Sequence, residues 1–177
     1  MTSKLSMAAH AVVAMTTLGA QAQDAMMNDL EIAHTAYTAG SLDIRYAHLA
    51  LAISEDENVR NFAATMIRDH TAVNDAAVAL IQELGVTPQD NGLSQALVQG
   101  ASDKRDELAG LRGKAFDFAY AQNELGYHQV VNQTVENNFI PAVTVPQLEE
   151  LLSEALVTFK VHEGHAEMMV ANLNCGA

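Results

Sequence analysis

In four separate stretches of this chain apolar residues recur every three or four positions, and in each stretch one ionisable side chain interrupts the row near its middle. That recurrence is the period of an amphipathic α-helix, not of a strand. The first stretch, over 29–53, aligns Ile32, Ala36, Ala39, Asp43, Tyr46, Ala50 and Ile53. The second, over 57–84, aligns Val59, Ala63, Met66, His70, Val73, Ala77, Leu80 and Leu84. Gly85 is placed to cap it in the left-handed conformation, and Pro88 prevents its continuation. The third, over 114–139, aligns Phe118, Ala121, Leu125, His128, Asn132, Val135 and Phe139, and the fourth, over 147–173, aligns Leu148, Leu152, Ala155, Phe159, His162, Ala166, Met169 and Leu173. A charge-rich segment over 94–110, with Ser94 as its N-cap, predicts a shorter peripheral helix.

Four long helices with short connections predict an all-α fold, an antiparallel four-helix bundle with one additional shorter helix. Composition agrees, since the apolar residues are mostly Ala, Leu, Val and Met, with no Trp and only 3 Pro. At 177 residues the chain fits one domain.

The formal charge is −13, and all 22 acidic residues follow Gln23. Nucleic acid is therefore an unfavourable partner, because phosphate contacts need clustered Lys and Arg. After the first segment no apolar run approaches the length of a membrane span. The amino terminus has Lys4, an apolar stretch from Met7 to Leu18, and then Ala20-Gln21-Ala22. This pattern predicts a signal peptide over 1–22 and a periplasmic or secreted domain over 23–177. The lone Cys175 forms no intrachain disulfide; a homo-oligomer is allowed by the sequence and not specified by it.

The four interruptions, Asp43, His70, His128 and His162, each lie near the middle of a helix. If neighbouring helices run antiparallel, they meet in one layer. Buried imidazoles and carboxylates without partners are costly, so such a layer must satisfy itself, hold water or bind an ion. Three imidazoles and one carboxylate suit Zn, Cu, Fe or Mn. Glu124, four residues before His128, and His165, three after His162, are candidate extensions. Asp69 and Glu163 point away from the seam and suit supporting or surface roles. The positions three before the seam histidines are Ile67, Leu125 and Phe159, so the paired E-x-x-H motif of a di-iron ferroxidase centre is absent.

The segments NFAATMIRDHTAVNDAAVAL and FDFAYAQNELGYHQVV resemble the ferritin-like exported bacterial family catalogued as domain of unknown function 4142, whose members carry outer-membrane or exported labels. The resemblance covers roughly 29–173. It rests on AGSLDIRYAHLALA with Asp43, on Asp69-His70-Thr71, on Tyr120 with His128-Gln129, and on His162. It implies a ferritin-like fold and brings no settled activity. The chain departs from the pattern with Asp43 where Glu is usual, and with Val161-His162-Glu163 where the last helix often reads E-H-L.

Three functions follow from these features. The leading one is a metal-binding exported bundle serving metal handling or stress protection. The second is a metal-free structural or interaction protein of the cell envelope with a pH-responsive histidine layer. The third is a Mn or Fe redox enzyme, for which the sequence specifies neither substrate channel nor proton donor.

Overall fold

A computed structural model describes residues 27–175, and the expected signal peptide over 1–22 lies outside them. The described residues form α1 (Asp29–Ile53), α2 (Glu57–Leu84), α3 (Gly92–Ala109), α4 (Gly113–Thr134), a π-helical turn (Val135–Phe139), a last α-turn α5 (Ile140–Ala142), and α6 (Pro146–Cys175). No strand occurs among the described residues. The described residues are thus all-α, with four long helices and one shorter one besides the α5 turn, as the periodicity predicts.

Helix starts are fixed by side chains that accept from otherwise unpaired amides. Asn28 caps α1 in a reciprocal box with Glu31, and Asp56 caps α2. The α3 helix begins earlier than the composition suggests. Its N-cap is Asn91, with Ser94 as the third residue of the capping box, because the Asn91 carboxamide reaches both Leu93 and Ser94 amides. The same side chain donates to Thr35 Oγ1 at 2.9 Å and to the Glu31 carbonyl at 3.2 Å, which ties α3 to α1. Gly85 ends α2 at φ 64°, the left-handed cap expected of it. Pro141 has no N–H to continue the α ladder, and the register slips to π just before it.

The helices pack as two neighbouring pairs, α1 with α2 and α4 with α6. They join through α2 against α6 and α1 against α4, while α3 lies against α1. The interior is cut in two. One apolar cluster gathers Tyr46, Ala50, Val59, Met66, Phe116, Tyr120 and Met169, and the other gathers Ile32, Val135, Phe139, Leu148, Leu152 and Leu156. Between them in sequence, on every long helix, stand the ionisable residues.

Close approach of α1 and α2 depends on Gly40. A Cβ there would stand 2.7 Å from Oδ1 of Asn74, whose Nδ2 donates to Ser41 Oγ at 3.1 Å. Ala at position 40 gains about 1 kcal/mol of helix propensity but overpacks at a cost of about 1–3 kcal/mol. Gly40→Ala should therefore destabilise the native chain by about 1 kcal/mol and stabilise an Asn74→Ala background. Urea unfolding of the four proteins checks this; the same sign in both backgrounds refutes the contact.

A candidate metal centre in the buried layer

Asp43 on α1, His70 on α2, His128 on α4 and His162 on α6 are all buried, with 0–3% of each residue exposed. The imidazoles of His70, His128 and His162 stand at centroid separations of 5.5–5.7 Å. Asp43 Oδ2 lies 3.5 Å from His70 Nε2 and 3.6 Å from His128 Nε2. The four sequence-predicted residues therefore do converge. Glu124, the candidate extension four residues before His128, is also fully buried, and Oε2 approaches His128 Nδ1 to 4.0 Å. His165 is exposed and does not join the layer.

Each histidine is oriented differently. His128 Nδ1 faces the carbonyl of Glu124 at 2.9 Å. A carbonyl only accepts, so Nδ1 carries the hydrogen and Nε2 turns a bare lone pair toward Asp43. His162 Nε2 donates to Asp69 Oδ2 at 3.0 Å, leaving Nδ1 bare. Asp69 is held below the usual carboxylate range first by Arg68, whose guanidinium grips both carboxylate oxygens at 2.6 and 3.0 Å. A chain of contacts thus runs from the surface to the layer. His70 makes no side-chain hydrogen bond and is held instead by Phe159, stacked on its ring at 4.4 Å.

Burial governs the charge state. It pushes the Asp43 carboxyl up to about 8. Burial and then the neighbouring Asp43 carboxylate push Glu124 well above its ordinary range. Burial pulls His128 down to about 4, against the opposing hydrogen bond to the Glu124 carbonyl. It also pulls His70 well below the usual imidazole value, with the other two imidazoles adding to the effect. Without an ion the layer is therefore mostly uncharged at neutral pH, and the approaches of Asp43 to the two imidazoles are not ion pairs.

Nor are they hydrogen bonds, which would bring these atoms to about 2.7–3.2 Å. Both Asp43 oxygens, both His70 nitrogens, His128 Nε2, His162 Nδ1 and Glu124 Oε2 lack a hydrogen-bond partner. Donors about 2.1 Å from a common tetrahedral centre stand about 3.4 Å from one another. The 3.5 and 3.6 Å separations from Asp43 match that edge. One donor nitrogen from each of the three histidines lies within 4.8 Å of the others, and Asp43, Glu124 and His128 form a second group with the same property.

Sequence reasoning missed several contacts. The buried face of α4 starts at Phe116 and Tyr120 and continues through the candidate Glu124, whereas Phe118 and Leu125, assigned to the stripe, are only half-buried. Tyr120 buries an unpartnered hydroxyl one helical turn from Glu124. Asn132 donates to the Phe159 carbonyl and to Glu163 across to α6. Asp69, expected in a supporting role beside His70, serves His162 on another helix instead.

No helix among the described residues is long and apolar enough to cross a membrane. A family model described as a domain of unknown function, DUF4142, matches residues 14–169. No curated protein and no solved structure matches the chain.

Proposed function

The chain belongs to the DUF4142 family, and from its buried layer we propose that it binds one transition-metal ion on Asp43, His70, His128 and His162. The observation that carries this reading is the set of unpartnered donor atoms gathered in one buried layer, with Asp43 at coordination spacing from His70 and His128. A native fold that strands this many buried polar atoms in one place loses stability unless something occupies it. The N3O donor set suits Zn, Cu, Fe or Mn. Bound there, the ion would supply a Lewis-acidic or redox-active centre shielded from solvent.

The chain's own residues divide the work. Asp43 yields its proton and supplies the neutralising charge. His128 is preset by the Glu124 carbonyl and His162 by Asp69, so both present a lone pair without rearrangement. Glu124 stands beside them as a second carboxylate able to offset charge. Four protein donors favour retention over turnover. We read the role as metal handling or stress protection, in a ferritin-like antiparallel four-helix arrangement exported to the periplasm or medium.

Metal analysis of protein purified without a metal-binding tag tests this directly. About one ion per chain is expected at saturation; a chain that stays metal-free after exposure to each candidate ion removes the reading. Asp69→Ala should weaken metal binding by about 10–100-fold by freeing the His162 ring. Competition against a chromophoric chelator measures this. An unchanged affinity would mean that Asp69 does not orient the ligand.

A further inference from the structure

An apolar cavity of about 110 Å³ lies beside the layer, on the side of the Ile32, Leu148 and Phe139 cluster. Its walls include Val73, Ala77, Val131 and Ala155, and its inner end is formed by Asp43, His70 and His128. Four of the polar residues along its length are already engaged, and Tyr37 is exposed. Thr35 donates to the Glu31 carbonyl, Thr134 to the Val130 carbonyl, Asn74 to Ser41 and Tyr127 to the Ala39 carbonyl. The buried polar lining atoms that lack a partner belong to Asp43, His70 and His128 alone.

We propose that this cavity binds a short unbranched aliphatic monocarboxylate, with its chain along the apolar walls and its head on the ion held by the layer. The volume is below the roughly 150 Å³ that takes up the six heavy atoms of a benzene ring, so a chain of about four heavy atoms fits. Along α1 the lining runs from Ala33 to Asp43, so the space follows the helix lengthwise as a slot. The π-helical turn Val135–Phe139 borders it, and such turns concentrate at functional sites. A carboxylate has no other favourable station here, because the lining carries no Lys or Arg. Unpaired burial of its charge would be prohibitive.

The head-group part rests on the metal reading, whereas the chain part does not, and two probes separate them. Pentanoate and 1-pentanol are titrated by calorimetry into metal-loaded and chelator-treated protein, with metal content measured on the same samples. Pentanol should bind both forms, and pentanoate only the loaded one. Across the series from propanoate to hexanoate, affinity should rise about fourfold per methylene until the slot is full. Ala155→Phe, or the milder Ala77→Leu if the first does not fold, should weaken both probes by about tenfold or more with metal content unchanged. If neither probe binds, or if both filled variants bind normally, the cavity proposal is overturned. Equal pentanoate binding with and without metal, or binding of pentanol but not pentanoate to loaded protein, overturns the head-group assignment. A chain that takes up no metal yet binds pentanol defeats the metal reading and the head-group assignment, and leaves the slot standing.

Discussion

A His70→Ala/His128→Ala variant should emerge from purification without the ion that the native chain retains. Losing a partner that merely orients a ligand costs 10–100-fold in metal affinity, so losing two ligands should cost more than about a hundredfold. The effect should appear in stability as well, because an ion bound only by the folded state stabilises it in proportion to its excess over Kd. At a thousandfold excess that is about 4 kcal/mol, and for a domain of this size each kcal/mol moves Tm by about 2–4 °C. Chelation should therefore lower the native Tm by about 10 °C and leave the double variant where it was. His165→Ala is the matched control, since His165 is exposed and outside the layer. Equal metal content in native and double-variant protein would end the assignment, whatever the thermal data.

The sequence made the helices legible because each long one keeps a single 3-4 stripe, and the interruptions at Asp43, His70, His128 and His162 were legible for the same reason. A buried ionisable residue on an otherwise apolar row stands out. Other features depended on distances that no stripe encodes. On α4 apolar residues occur on more than one face, so the pattern admitted Phe118 and Leu125 where packing chose Phe116 and Tyr120. Asp69 adjoins His70 in the chain, yet its partner His162 is 93 positions away. The slot was the least visible feature. Val73, Ala77 and Leu80 continue the α2 stripe without a break, and only the spacing of the facing helices turns them from core into a half-buried wall. Small residues facing it at Ala36 and Ala155 are the nearest thing to a signal.

Metal affinity should rise steeply with pH, by about tenfold per unit for each proton displaced, up to the point where Asp43 ionises unaided at about 8. The metal-free fold should respond in the opposite sense. Asp43 has a folded value above its unfolded one of about 3.9, so its contribution is fully present below that pH and is lost as pH climbs toward 8. Glu124, raised by the same burial, adds to the loss. The imidazole of His128, lowered to about 4 from an unfolded value of about 6.5, contributes above 6.5 and loses that contribution as pH falls. Between about pH 4 and 6.5 the two effects oppose each other; between about 6.5 and 8 only the carboxylates act. Chelated protein should therefore lose about 1.4 kcal/mol per pH unit for each retained proton across the upper window. Loaded protein, with Asp43 already ionised, should keep only the Glu124 share of that slope. Thermal melts with and without chelator from pH 5 to 9 read both slopes, and the gap between the curves should widen above 6.5. Parallel curves across that window would mean that Asp43 is ionised before the ion arrives, and that the layer is not the neutral pocket whose filling the metal reading requires.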